Sequence, residues 1–306
     1  MRRGVLAVTL FVLILASGYA LWPEIEAIEE KIFQPSARLL AVGDMFFDRS
    51  IREYAQMHGF DYLFSCLARD LRNYDLVFGN LESSITDFPS KSIGTKPGGD
   101  DNYTFTSPVK SARALYKNHI RLVNIGNNHV GNFGRKGITK TKGYLTDAGV
   151  SFFGGLADDS TIYRTTLHTI LVSFIGYNEF GGLSAASTTE IIRAEVSAGR
   201  ITLVYTHWGE EYEPPLLQMR QLAHSFIDAG AAIVIGSHPH IVQENELYRG
   251  RWIYYSLGNF IFDQYWNDSV SRGLALDLTI SGGDVEVKER PVVLGKDRRT
   301  CFENAL

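Results

Sequence analysis

The residues of this chain that could do chemistry come in short groups, and the most compact is His238-Pro239-His240. Side chains two apart on an extended segment point to the same side, so both imidazoles can address one point. Neutral imidazole is the commonest protein ligand for a metal ion, and Pro239 biases His238 towards an extended backbone. Four other groups share this character: Asp44, Asn80 with Glu82, Asn128 with His129, and His207. Carboxylate and imidazole without thiolate suit Mn²⁺, Fe²⁺ or Zn²⁺ better than Ca²⁺ or Mg²⁺. The candidate ligands Asp44, Glu82, Asn128, His207, His238 and His240 are too many for one tetrahedral zinc; they fit two divalent transition-metal ions sharing a bridging carboxylate. Such a pair clamps a phosphate-like group and brings the pKa of bound water near neutrality. His129 is the candidate catalytic residue. An imidazole beside the ions but not on them can protonate a leaving oxygen as general acid; the other open role is to orient a neighbouring ligand. His58, His119, His168 and His224 have no such setting and read as surface or packing residues. Arg49 and Glu211 fit either substrate contact or a structural ion pair.

What makes the five groups one site is the set of elements that deliver them. Each follows an apolar run of strand character, at 38–44, 75–79, 120–126, 201–206 and 232–236. Helical patterns intervene at 50–58 and at 61–72, the second with Leu63, Phe64, Leu67 and Leu71 on one face. Ser107 as cap and Pro108 at the first helical position open another helix. One ends at Ala148 before Gly149, and one runs from the capping box Ser187-Thr188-Thr189-Glu190 to Gly199. The strongest pattern, 215–229, lines up Leu216, Met219, Leu222, Ala223, Phe226 and Ile227 ahead of Gly230. Further strands are expected at 150–153, 162–167, 169–176 and 251–257, with a hairpin over 273–294 turning at Gly282-Gly283-Asp284. Strands alternating with helices predict an α/β fold, a largely parallel or mixed sheet layered with helices. Ligands of such sheets bind at the carboxyl ends of strands, where all five groups fall. Residues 87–102 lack periodicity and form a long loop, a candidate lid.

Composition narrows the function. A formal charge of −4 and no basic run exclude nucleic acid as a partner. Two cysteines, Cys66 and Cys301, cannot build a disulfide framework or a thiolate zinc site. Cys66 lies among Leu63, Phe64 and Leu67, a packing position, and a Cys66–Cys301 bridge is open to it outside the cytoplasm. At the N-terminus, Arg2 and Arg3 precede the uncharged, apolar residues 4–22, just long enough to span a bilayer. The arginines hold the N-terminus inside, which puts the rest outside. Gly18-Tyr19-Ala20 also suits a signal peptidase, so a retained single-pass membrane anchor, the favoured reading, stands beside a cleaved signal peptide. Residues 23–37, with Glu24, Glu26, Glu29 and Glu30, form an acidic linker, and 38–306 form one domain.

Gly43-Asp44-Met45, Asn80-Leu81-Glu82, Asn127-Asn128-His129, His207-Trp208-Gly209-Glu210-Glu211-Tyr212, Gly236-Ser237-His238-Pro239-His240 and Tyr255-Ser256-Leu257-Gly258-Asn259-Phe260 occur in that order. The set closely resembles the capsule-synthesis CapA/PgsA family, associated with poly-γ-glutamate capsules, over about residues 38–265. That family is similar to calcineurin-like metallophosphoesterases, so the resemblance implies a sandwich of two mixed β-sheets flanked by helices. It implies metal-ligand roles for Asp44, Glu82, Asn128, His207, His238 and His240, the place of the catalytic histidine for His129, and an anchored protein facing outward. Three positions depart from the pattern. Phe46 stands where metallophosphoesterases usually have histidine, Glu82 where they have a bridging aspartate, and Asn132 where the capsule family often has aspartate. Two functions are expected: a metal-dependent hydrolase acting on a phosphoester or amide-linked polymer in capsule biosynthesis, or a non-catalytic component that binds the polyanionic polymer for membrane synthetase subunits. Lys91, Lys96, Lys110 and Lys117 are the candidate polyanion patch, or else a solvated face. No Gly-rich nucleotide-cradling loop is present, which excludes a ligase.

Overall fold

Apolar runs bounded by Gly, Asn or Asp build two mixed sheets in the computed structural model, which describes residues 35–95, 99–156 and 161–303. The first half of the chain supplies β1 (Ser36–Met45), α1 (Arg49–His58), β2 (Leu76–Leu81), the short β3 (Ser84–Thr86) and β4 (Thr106–Pro108), α2 (Lys110–Lys117), β5 (Ile120–Asn124), α3 (Gly134–Ala148) and β6 (Ser151–Phe153). The second half supplies β7 (Ile162–Leu167), β8 (Ile170–Asn178), α4 (Ala185–Ser197), β9 (Ile201–His207), α5 (Leu217–Asp228), β10 (Ile233–Ser237), β11 (Asn245–Tyr248) and β12 (Arg251–Tyr254). The chain closes with β13 (Asn259–Ile261), β14 (Arg272–Ser281), β15 (Asp284–Leu294) and β16 (Thr300–Phe302).

The first sheet has the order β16-β15-β14-β1-β2-β5-β6, with β13 also on β1; the second has β11-β12-β10-β9-β8-β7. Alternation along β1 decides what each face buries. Ala37, Leu39 and Ala41 pack with Phe174, Leu203, Tyr205 and Ile235 between the sheets. Leu40 and Val42 face the other way, against Ile51, Leu63, Leu115 and Leu145 on the helical side. Across the second sheet, Val204 and Val234 meet Ile192, Ala223 and Phe226 of α4 and α5. The layers therefore run helix, sheet, sheet, helix, an α/β architecture.

Strand register is what positions the site. Asp44 of β1 pairs with Asn259 of β13 and with Asn80 of β2, and Asn80 pairs with Asn124 of β5. In the second sheet His207 of β9 pairs with both Asn178 of β8 and Ser237 of β10. Each sheet thus ends in a row of polar residues that its strands cannot bury apart from one another.

Several expectations need correction. Residues 61–72 are not an α-helix: a 3₁₀ helix at Phe60–Phe64 gives way to turns and a second one at Leu71–Asn73. Leu63, Phe64, Leu67 and Leu71 are all buried as the pattern requires, but over so short a run a period of 3.0 serves nearly as well as 3.6. Ser107 and Pro108 do not open a helix, because they extend β4 alongside β3, and α2 starts two residues later. The cap of α4 is Ser184, whose side chain accepts a hydrogen bond from the Ser187 N–H at 3.1 Å. Cys66 does more than pack: it is bonded to Cys301, Cα to Cα 5.0 Å, tying the 3₁₀ segment to β16. The expected membrane segment at 4–22 lies outside the described residues, among which no helix is long and apolar enough to cross a membrane.

Candidate metal centre

The first requirement is a close approach of backbones at the end of β1. A Cβ on Gly43 would sit 1.9 Å from the Gly258 carbonyl oxygen. Only glycine leaves room for Asp44 N–H to donate to that oxygen at 3.0 Å, which docks β13 beside the site. Gly236 does the same in the second sheet, 1.9 Å from the Tyr255 carbonyl oxygen by the same measure.

On this frame the polar rows become a hydrogen-bond ladder whose orientation is set by backbone groups. Asn124 Oδ1 accepts from Gly126 N–H at 3.2 Å, and Asn127 Oδ1 accepts from His129 N–H at 3.0 Å. Each must then present its amide NH₂, and both donate to Asn80 Oδ1 at 3.1 Å. The Asn80 NH₂ is therefore aimed at the carboxylates, donating to Asp44 Oδ1 at 2.8 Å and to Glu82 Oε2. Asn80 and Glu82 are completely buried.

The same logic fixes His207. Ser237 Oγ–H donates to the Thr206 carbonyl at 2.8 Å, so Ser237 Oγ is free to accept from His207 Nδ1–H at 3.0 Å. The lone pair is on Nε2, which faces Asn128 Oδ1 at 3.0 Å and Glu82 Oε1 at 3.6 Å. Glu82 Oε1 and His238 Nδ1 are buried without any hydrogen-bond partner. One donor atom each from Glu82, His207 and His238 lies within 4.8 Å of the others. Lone pairs converging without a proton to share are what a cation satisfies, and carboxylate, amide oxygen and two imidazoles fit a divalent transition metal. Without a cation the Glu82 anion is costly: burial, then the Asp44 and Glu211 carboxylates, pushes its carboxyl well above its ordinary range, a cost that a positive charge beside it would offset. Burial drives His207 well down and His238 down to about 3, which keeps both as neutral ligands.

Asp44 and His240 stand at the flank of this group. Asp44 Oδ2 accepts from His238 N–H at 3.2 Å and lies 3.4 Å from His240 Nδ1. The Asn259 NH₂ is committed to the Val270 carbonyl, Gln264 Oε1 and the His240 carbonyl at 2.9, 3.0 and 3.3 Å, so Asn259 Oδ1 accepts from His240 Nδ1–H at 3.0 Å. The His238-Pro239-His240 backbone is not extended, contrary to the local rule for a residue before proline. His238 has φ 99° and His240 φ 58°. Strained left-handed geometry survives where surroundings over-determine it; here Asp44 holds the His238 N–H and Tyr212 N–H donates to the Pro239 carbonyl at 2.9 Å. The two rings diverge accordingly, centroids 6.0 Å apart, one towards His207 at 4.7 Å and the other towards Phe262 at 4.6 Å.

His129 Nε2 lies 3.9 Å from Glu82 Oε1. Its Nδ1–H donates to Asn132 Oδ1 at 3.2 Å, and burial drives the ring down to about 4, so it is neutral with Nε2 as the free lone pair. All seven candidate residues thus meet in one cluster. Arg49 is a structural pair instead: it binds Asp263 at 2.5 Å and stacks on Phe46 and Phe105. Asn102 joins it at 3.2 Å, and Ser92 donates to Asp48 at 2.9 Å, so the long loop is pinned at both sides. Glu211 acts on Glu82 and Tyr212 through its charge. His58, His119, His168 and His224 have partners elsewhere in Tyr62, Tyr74, Asp75 and Glu246. Sequence reasoning assigned no role to Asn124, Ser237 or Asn259; the only signal was a polar residue closing β5 and β10 and opening β13. It also missed Phe180, whose half-exposed ring lies 4.5 Å from that of His238.

The bacterial capsule synthesis protein family PGA_cap matches residues 38–264. The capsule biosynthesis protein CapA of Bacillus anthracis is 28% identical over 255 residues, 76% of this chain and 61% of that protein. The PGA biosynthesis protein CapA of Bacillus subtilis is 28% identical over 278 residues, 84% of this chain and 71% of its own length. A probable polyglutamine synthesis accessory protein of Mycobacterium tuberculosis is 26% identical over 218 residues, 60% of this chain and 57% of that one. The chain thus spans about three fifths to seven tenths of the Bacillus relatives it matches. With well over half its length matched by one family, the chain belongs to the bacterial capsule synthesis PGA_cap family.

Proposed function

We propose that residues 38–306 are an extracytoplasmic, metal-dependent hydrolase of the phosphoesterase type that acts in capsule polymer biosynthesis. They would stand behind the anchor or signal segment at 1–22 and the linker at 23–37. The observation that carries this reading is the buried, unpartnered pair Glu82 Oε1 and His238 Nδ1 facing the His207 Nε2 lone pair. Mn²⁺, Fe²⁺ or Zn²⁺ held there would supply an acidified water and polarise a phosphoryl or carbonyl oxygen. The chain's own residues do the rest. Asn80 keeps Glu82 Oε1 turned towards the cluster by holding Oε2. Ser237 keeps His207 in the tautomer whose Nε2 can ligate. His129, neutral in the free protein, offers Nε2 to a proton, and an anionic substrate beside it favours the protonated form that can serve a leaving oxygen.

The two-sheet sandwich with its polar cluster at the strand ends is the layout expected of a calcineurin-like metallophosphoesterase. The Cys66–Cys301 bridge supports an oxidising compartment outside the cytoplasm. The relatives are named for capsule, PGA and polyglutamine synthesis, and the substrate proposed with them is a polyanionic polymer or a phosphoester. A second reading, a non-catalytic component that binds polyglutamate for a membrane synthetase, draws on a groove of about 740 Å³ between α1 and α2. Lys110, Arg113 and Lys117 line it, and none of the polar cluster does. Lys117 pairs with Asp61 at 3.4 Å, whereas Lys110 and Arg113 make no ion pair among the described residues.

The test is elemental analysis of the purified chain, wild type and His238→Ala, paired with a screen of phosphoester and γ-glutamyl substrates. The expected result is bound transition metal and turnover in the wild type, both lost in the variant. A wild type that takes up no transition metal refutes the proposal, and bound metal without turnover transfers the assignment to the binding role.

A further inference from the structure

We infer that the centre takes a single divalent ion, on Glu82, Asn128, His207 and His238, and that Asp44 and His240 buttress it where a second ion was expected. The inference rests on the metal-dependent reading above and departs from the two-ion expectation that the number of candidate ligands raises.

Among the described residues, two of the three buried atoms without a partner belong to the cluster; the third, Gln243 Oε1, is on a side chain tied to the Glu213 carbonyl. Glu82 Oε1 and His238 Nδ1 lack partners, and with His207 they form the one group of three donors found among the described residues. Asp44 and His240 do not complete a second group. Both Asp44 oxygens are engaged, Oδ1 by Asn80 at 2.8 Å and Oδ2 by His238 N–H at 3.2 Å. His240 Nδ1, the ring atom that faces Asp44, carries a proton committed to Asn259 Oδ1, because the Asn259 NH₂ is itself committed to Gln264 Oε1 and two backbone carbonyls; the lone pair left on Nε2 joins no group of three donors among the described residues. Glu82 presents Oε1 alone to the cluster, because Asn80 holds Oε2 turned away from it.

The space in front of β1 is closed in a way that suits this assignment. Phe46 occupies the third position of the Gly-Asp motif and is completely buried. Its ring stacks on Phe262 at 4.7 Å and meets Phe105 edge-on at 4.8 Å, and the Arg49 guanidinium caps it at 4.7 Å. Phe262 in turn packs on His240 at 4.6 Å. An aromatic layer topped by a fixed guanidinium stands where a second ion would need a ligand, and neither feature donates a lone pair.

The experiment is a metal titration of the chelator-stripped full chain with Mn²⁺ and Zn²⁺. Elemental analysis follows removal of unbound ion, and the Mn²⁺ form is examined by electron paramagnetic resonance. One equivalent per chain and an uncoupled Mn²⁺ spectrum are expected. Phe46→His is expected to raise the uptake to two equivalents with an exchange-coupled spectrum, a gain that no folding defect produces. If that variant fails to fold, the wild-type stoichiometry and spectrum decide alone. Two equivalents or a coupled spectrum in the wild type overturn the inference and leave the metal-dependent reading standing. No bound ion in the wild type overturns both.

Discussion

Asn132 Oδ1 receives both the Nδ1–H of His129 at 3.2 Å and the Phe105 N–H at 2.9 Å. The backbone donor fixes which end of the amide faces the histidine. The acceptor is neutral, so it does little against the burial that drives His129 down to about 4. A carboxylate at the same place adds an opposite charge within hydrogen-bond reach, worth roughly one to three pKa units. Asn132→Asp is therefore expected to raise the His129 pKa, and with it any acid limb of activity, by that amount. Phe105 N–H keeps its acceptor, so the fold should hold. Imidazole proton shifts followed by NMR against pH measure the effect, and an unmoved titration would show that Asn132 does not set it.

This pair also marks where sequence reading stops. The ligand types were legible because each of Asp44, Glu82, Asn128, His207 and His238 follows an apolar strand, a local signal. The ladder through Asn80, Asn124 and Asn259 was not, because its partners are chosen by cross-strand register between distant segments. The His238 backbone shows why local rules can fail. The pre-proline preference is overridden by a bond to Asp44, 194 residues away in the chain. The helix period was readable for α5, whose buried face runs through Met219, Ala223, Phe226 and Ile227. It misled at 61–72, where burial demanded only a few contacts and the backbone supplied them with tighter turns.

Gly43 is expected to be intolerant of a side chain. The 1.9 Å approach of a Cβ to the Gly258 carbonyl oxygen cannot be relieved by rotating anything flexible. Gly43→Ala should separate β1 from β13, pull Asp44 out of register and cost about 1–3 kcal/mol of stability. Gly143, exposed in α3 with nothing within 4 Å of its Cβ position, is the control. There alanine should add about 0.5–1 kcal/mol through helix propensity. Urea unfolding of both variants decides the matter, and equal midpoints would contradict the close-approach argument.

The Cys66–Cys301 bond closes a loop of 235 residues around most of the chain. Cross-links of long loops restrict the unfolded chain most, and losing one costs about 2–5 kcal/mol. Cys66→Ser with Cys301→Ser should lower the thermal midpoint to the value of the reduced wild type, since both lack the same constraint. A double variant as stable as the oxidised protein would mean that the bond adds nothing to the packing of β16.

Acid should destabilise the metal-stripped protein, and the sign follows from which state takes up protons. Burial holds His129 at about 4 and His238 at about 3 in the folded state, against about 6.5 when unfolded. Between pH 6.5 and 4 the unfolded state therefore binds more protons at both rings. Stability is lost as pH falls through that window, by up to about 1.4 kcal/mol per pH unit for each histidine. His207, also lowered by burial, adds to the slope. Glu82 works the other way, because its raised pKa lets the folded state hold a proton that the unfolded state has lost. One carboxyl cannot outweigh three imidazoles, and below its unfolded pKa of about 4.3 its opposition disappears. The unfolding free energy of chelated protein should thus fall from pH 6.5 downward and fall more steeply below pH 4.5. A curve that stays flat to pH 4 would show that these histidines are solvated rather than buried.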